Sequence, residues 1–234
     1  MKRVVQSIIA ACALASASAA AAQIINAGFE EGAFGDGSVR QISPDEKALP
    51  GWSVSDGQIT WYKNGYSLNG NALSPHTGDL ALNLCDGSVR TCDGSVRVGS
   101  LSQTIPTLPF QEYRVSYWVG NYSANGGPLA VLTTITDGTS HTIIFSEIAT
   151  ARASDDPSTW EHFSFNFVAD GTSNTITFSE AIDPSYPRGV GPSYTGLDEV
   201  SVAAVPEPST WALTLLGFAG LGMIGMRRRV TRLT

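Results

Sequence analysis

The chain has 234 residues, 42% hydrophobic and 15% charged, with 24 Gly and 12 Pro. This length and apolar content fit one packed domain and exclude wholesale disorder. The net charge of −7 argues against a nucleic-acid partner, which requires clustered Lys and Arg.

The N-terminus reads Met1-Lys2-Arg3, then an apolar run from Val4 to Leu14, then small residues to Ala22. That order is a secretory signal peptide over 1–22, and Ala20-Ala21-Ala22 places cleavage before Gln23. Ile9-Ala10-Ala11-Cys12 also has the form of a lipoprotein box, but cutting there leaves a very short apolar region.

Residues 23–204 read as the extracellular domain. The span 23–205 holds 20 acidic against 8 basic residues, a net charge of −12. Such a surface disfavours anionic polymers unless a cation bridges them, and suits neutral glycans or a calcium-bearing site. Period-2 alternation dominates the span. Strands are predicted at Leu80 to Leu84, Leu101 to Ile105, Tyr113 to Val119 and Leu129 to Thr136. Others follow at Thr142 to Phe145, Phe163 to Phe167, Ile176 to Phe178 and Leu197 to Val202. Turns are expected at Pro50-Gly51, Asp56-Gly57, Asp137-Gly138 and Asp170-Gly171. No helical stripe interrupts them. The expected fold is all-β, an antiparallel sandwich or jelly roll. An immunoglobulin fold is the weaker alternative, because its Cys…Trp…Cys spacing is absent.

Cys12 leaves with the signal peptide, so Cys85 and Cys92 remain as a pair in an oxidising compartment. They head two tandem copies, Cys85-Asp86-Gly87-Ser88-Val89-Arg90 and Cys92-Asp93-Gly94-Ser95-Val96-Arg97, and Asp36-Gly37-Ser38-Val39-Arg40 is a third copy of the last five residues. The spacing permits a local disulfide, which would stabilise by roughly 2 kcal/mol in the chain-entropy model.

The C-terminal segment 205–234 opens with Val205-Pro206-Glu207-Pro208. An apolar run over 211–226 follows, then Arg227-Arg228-Arg229. As a transmembrane helix, sixteen residues span about 24 Å, with arginine snorkelling covering the shortfall. The arginines belong on the cytoplasmic side of an inner membrane. A plain single-pass anchor is the simpler alternative.

No metal spacing joins His76, His141 and His162, and no nucleophile elbow or phosphate loop occurs. No catalytic residue is assigned. Aromatics are the candidate ligand contacts, because sugar rings stack their C–H faces on aromatic planes. Trp52 is expected in the core. Trp61 and Trp118 alternate within strands. His162 is expected to be exposed. Tyr62, Tyr66, Tyr122, Tyr186 and Tyr194, at strand ends or in loops, are the expected contact residues.

Two resemblances add to this reading. The order Pro206-Glu207-Pro208, short apolar run, Arg227 to Arg229 resembles the PEP-CTERM sorting tail of Gram-negative bacteria. It implies export across the inner membrane, transient anchoring, processing by an exosortase-type enzyme, and delivery to a cell surface or biofilm matrix. The motifs Asn26-Ala27-Gly28-Phe29-Glu30, Leu49-Pro50-Gly51-Trp52, Ile59-Thr60-Trp61, Gly78-Asp79-Leu80, Gly99-Ser100-Leu101-Ser102-Gln103 and Gly196-Leu197-Asp198-Glu199-Val200 occur in that order. Together they resemble the galactose-binding-like jelly roll of carbohydrate-binding modules and of choice-of-anchor domains. That resemblance implies a structural calcium at Glu30 and Asp198, with further oxygen ligands required. It also marks 85–98 as an inserted loop. The function expected is non-catalytic binding of extracellular polysaccharide. A structural matrix protein without a sugar site, or a polysaccharide hydrolase or lyase, are the alternatives.

Overall fold

A computed structural model describes residues 23–68, 70–84, 99–123, 129–152, 154–181 and 193–206. The expected signal peptide, the Cys85–Cys92 bridge, Tyr186, Glu207, Pro208, the 211–226 helix and Arg227 to Arg229 lie outside these residues.

The described chain is all-β. The strands in order are β1 (Val39–Ile42), β2 (Ser53–Ser55), β3 (Ile59–Lys63), β4 (Ser67–Leu68), β5 (Asn71–Ala72), β6 (Leu80–Asn83) and β7 (Ser100–Pro106). They continue as β8 (Glu112–Ser123), β9 (Leu129–Asp137), β10 (Ile143–Ala151), β11 (Trp160–Val168), β12 (Ser173–Ala181) and β13 (Ser193–Ala204). One sheet has the order β1-β3-β6-β13-β8-β11. The other has the order β10-β9-β12-β7-β2, and β4-β5 form a small hairpin. All strand pairs within the sheets are antiparallel.

The topology identifies the fold. From β6 onward the chain passes back and forth between the sheets, staying in one sheet only for the β9–β10 hairpin. The four-strand blocks β6-β13-β8-β11 and β7-β12-β9-β10 are the two interleaved sheets of a jelly roll. β1 and β3 widen the first sheet beside β6, and β2 widens the second beside β7.

Alternation explains each long strand. In β8, Tyr113, Val115, Tyr117 and Val119 are buried between the sheets, while Arg114, Ser116 and Trp118 point to the opposite face. Phe165 and Phe167 of β11 and Ile176 and Phe178 of β12 enter the same core. Burying each large side chain contributes about 2–3 kcal/mol. Trp52 and Trp61 are both core residues. Their indole N–H groups donate to the carbonyls of Asn26 and Phe29, at 3.0 Å each. This pins the leading segment across the end of the sandwich. Gln103 adds a two-way bridge to the backbone of Ile25.

The structure extends the sequence reading in two places. β10 runs on to Ala151 because it is an edge strand whose polar residues face solvent. β1, β2, β4 and β5 are two to four residues long, too short for alternation to register. The upstream Asp-Gly-Ser-Val-Arg copy ends inside β1 at Val39 and Arg40.

Candidate functional site

The outer face of the six-stranded sheet carries the chemistry. It divides into a covered half and an open half.

In the covered half, the segment 64–79 with its β4–β5 hairpin lies over β3, β6, β13 and β8. Tyr62, Leu73, Ala81, Tyr122 and Tyr194 form a second apolar cluster beneath it. Their polar tips are all paired. The Tyr62 and Tyr194 hydroxyls bond each other, and Asn71 Nδ2 donates to the Tyr122 hydroxyl. Trp160 Nε1 donates to the Ser74 carbonyl at 3.0 Å. Glycines make room for the rings. A Cβ on Gly196 would meet Tyr194 Oη at 2.5 Å and the Trp160 ring at 2.9 Å, and one on Gly120 would meet the Tyr194 ring at 2.8 Å. Burial pushes both the Tyr62 and the Tyr194 hydroxyl above the ordinary tyrosine range.

This arrangement corrects the expected contact residues. Tyr62, Tyr122 and Tyr194 are buried, because a connecting segment folds over them; Asn71 of that segment satisfies the Tyr122 hydroxyl, while those of Tyr62 and Tyr194 satisfy each other. Tyr66 is half-buried, with its ring 6.3 Å from that of Tyr62.

The open half lies on β13, β8 and β11. Trp118 is half-buried. The His76 ring stacks on it at 3.8 Å and 17°, and the exposed His162 ring lies 5.0 Å away, tilted by 55°. His76 Nδ1 sits 2.9 Å from Glu199 Oε2, a contact that becomes ionic when the imidazole is protonated, but out of line for a hydrogen bond. Below this aromatic group runs a polar row. Ser116 and Ser201 share a hydrogen bond of 2.7 Å, Arg114 Nε donates to Asn166 Oδ1 at 3.1 Å, and Asn166 Nδ2 donates to Glu112 Oε1 at 3.1 Å. An aromatic group beside hydroxyl, amide and guanidinium groups can stack an apolar ring face and bond its hydroxyls. Sequence reasoning did not single out His76, Arg114 or Asn166. The available signal was the face: strand register puts Arg114, Ser116 and Trp118 opposite Asn166, Ser164 and His162.

Glu30 and Asp198 lie on either side of one glycine. Both flank Gly28, whose Cβ position lies 3.9 Å from Asp198 Oδ1 and from Glu30 Cγ. Glu30 Oε1 accepts the N–H groups of Asp79 and Leu80, at 3.1 and 3.0 Å, and Oε2 accepts that of Asp79 at 3.2 Å. Gly78 permits this, with φ of 64° and a Cβ position only 2.2 Å from Oε1. Asp198 Oδ2 accepts from His76 and Thr77, and Oδ1 from Glu199. Glu199 sits at φ of 48° in a bulge of β13, which leaves Asp198 buried and turns Glu199 outward. Burial pushes Asp198 up to about 7, opposed by the Thr77 and Glu199 amides and reinforced by the Glu199 charge. Asp198 Oδ1 and Glu30 Oε2 each hold a single N–H donor, so each keeps a lone pair that a hard cation could use. Among the described residues, no group of three or more His, Cys, Asp and Glu side chains is placed to hold a metal.

One further carboxyl lies at the end of the sandwich. Glu180 Oε1 accepts from the Thr195 hydroxyl at 3.0 Å, and its Oε2 is buried with no hydrogen-bond partner among the described residues. Desolvation pushes it up to about 7 against that hydrogen bond.

Over residues 22–202 the chain matches DUF642, described as a protein of unknown function. The chain belongs to the DUF642 family. Residues 204–229 match the PEP-CTERM protein-sorting motif, which marks the chain for export, sorting and exosortase processing. No match was found among curated proteins. Similar solved structures include TmCBM61 in complex with beta-1,4-galactotriose, at 20% identity, TM-score 0.42, and coverage of 78% of this chain and 99% of that one. The N-terminal CBM22-1-CBM22-2 tandem domain of Xyn10C from Paenibacillus barcinonensis is similar at 15% identity and TM-score 0.46, covering 83% of this chain and 50% of that one. A family 35 carbohydrate binding module from Clostridium thermocellum is similar at 10% identity and TM-score 0.38, covering 71% and 98%.

Proposed function

We propose that this exported domain binds extracellular polysaccharide, without cleaving it, on the open half of the six-stranded sheet. The observation that supports this reading is the Trp118–His76–His162 aromatic group, set directly above the Ser116, Ser201, Arg114 and Asn166 row. The acidic domain points to a neutral glycan. The 211–226 run holds the chain in the inner membrane until sorting, and the sorted protein joins the cell surface or matrix. The test is affinity electrophoresis of the purified protein in gels containing the producing cell's own exopolysaccharide. The protein should be retarded, and Trp118→Ala should restore free migration. Equal retardation of a folded Trp118→Ala variant would move the site elsewhere. Absence of retardation in the parent would favour a purely structural matrix role. Release of reducing ends from the polysaccharide would reveal an enzyme.

A structural calcium belongs to the same proposal. Glu30 Oε2 and Asp198 Oδ1 would be its side-chain ligands, with main-chain carbonyls completing the six to eight oxygens it needs. The ion would tie the leading segment to the last strand. Calcium should raise the melting temperature and EDTA should reverse the rise. A transition unmoved by either would remove calcium from the account.

A further inference from the structure

The loop between β7 and β8 ends in an apolar tip that makes no core. Phe110 is 86% exposed, Leu108 39% and Val168, on the neighbouring strand end, 55%. Phe110 also has φ of 66°, a conformation that bulky residues avoid. The tip is nevertheless fixed. Phe110 N–H donates to the Ala169 carbonyl at 2.7 Å, Ala169 N–H to Gln111 at 3.0 Å, and Leu108 N–H to the buried Tyr113 hydroxyl at 2.9 Å. A strained backbone that holds a large apolar side chain in water gains nothing inside the molecule.

The chain leaves the domain beside this tip. Val205 N–H donates to the Glu112 carbonyl at 2.8 Å, and Gln111 Nε2 donates to the Val205 carbonyl at 2.8 Å. The residue that follows Phe110 therefore clamps the exit. Trp211 opens the apolar run six residues after Val205. Six extended residues reach about 20 Å. A bilayer that contains 211–226 is thus within reach of the tip, whatever path the connecting residues take. The segments 106–111 and 168–172 contain no Lys or Arg, and one acidic residue, Asp170. Contact there is apolar insertion and not attraction to anionic headgroups.

We infer that Leu108, Phe110 and Val168 form a membrane-docking tip that seats the domain on the outer leaflet of the inner membrane while the sorting tail is inserted. This rests on the reading of 211–226 as the membrane segment. Docking fixes the orientation of the domain and holds the 205–210 connection close to the bilayer surface.

The whole chain, reconstituted in vesicles of phosphatidylethanolamine and phosphatidylglycerol, tests it. Phe110 is replaced by p-benzoylphenylalanine, and in a second sample Asp155, exposed beside Ser154 at the opposite end of β8, is replaced instead. Irradiation should give several-fold more lipid adduct at position 110 than at 155, unchanged by added salt. Protein–protein adducts at 110 without lipid would overturn the proposal in favour of a second copy. No adduct at 110, in a chain that stays in the membrane pellet after alkaline washing, would overturn the tip alone. Release of the chain by the alkaline wash would overturn the anchor reading and the tip with it.

Discussion

The two halves of the outer sheet face are built from similar residues and meet different fates. The covered half holds Tyr62, Tyr122, Tyr194 and Trp160, and the open half holds Trp118 with two imidazoles. What separates them is the 64–79 segment. It supplies an acceptor for the Trp160 indole at Ser74, a donor for the Tyr122 hydroxyl at Asn71, and a lid of Leu68 and Leu73. Aromatic residues on a sheet face become core wherever a connection can satisfy their polar tips, and remain surface where it cannot. The cover ends at the His76 ring, which is the border between the two halves.

The largest effect that would sharpen this contrast is at Tyr194. Tyr194→Ala removes a fully buried ring and leaves the Tyr62 hydroxyl without its partner. It should cost about 3–5 kcal/mol in urea unfolding. Polysaccharide retention should persist in the fraction that remains folded. If retention vanished while the variant was fully folded, the covered half would be part of the binding site and the division would fail.

A smaller effect concerns the end of the sandwich. Glu180 has its folded value pushed up to about 7 by desolvation, against an ordinary 4.5. Between those values the folded state holds a proton that the unfolded state has lost. Stability therefore falls as pH rises from about 4.5 to about 7, and the loss is complete above that range. The magnitude is on the order of 3 kcal/mol. Glu180→Gln should remove this contribution, leaving the one that Asp198 makes over a similar range, and leave the protein more stable than the parent at pH 8. Melting curves at pH 5 and pH 8 for both proteins would decide it, and a parallel slope in the variant would remove Glu180 as the cause.

Much of the architecture was legible because long strands report their own faces. Tyr113 to Val119 and Phe163 to Phe167 alternate cleanly, and both lie within long strands with the expected side inward. The resemblance pairs Glu30 with Asp198, and both lie beside Gly28, but their amide partners Asp79, Leu80, His76 and Thr77 carry no signal in the sequence. Tyr62, Tyr122 and Tyr194 are buried, against the sequence expectation, for a physical reason. Period-2 patterning says which side of a strand a residue takes, but not whether a distant segment covers that side. Tyr62 and Trp118 both face outward, and only the path of 64–79 distinguishes them. His76 was invisible in the same way, since it enters the site from a connection with no periodicity.

The smallest effect separates binding from stability within the open half. His162 is exposed on β11 with its ring 5.0 Å from Trp118, and its register partner is Trp118 itself. It supports no buried group, so His162→Ala should change unfolding stability by no more than about 0.5 kcal/mol. If the aromatic group receives the sugar ring, losing one of its three members should weaken retention by an amount between the parent and Trp118→Ala. Affinity electrophoresis over a range of polysaccharide concentrations resolves such an intermediate. An unchanged His162→Ala alongside a silent Trp118→Ala would leave the open half as a bare polar surface, with its aromatic stack serving only to hold His76 and the covering segment in place. A graded loss across the two variants, with folding intact in both, would mark Trp118 as the centre of the platform and His162 as its rim.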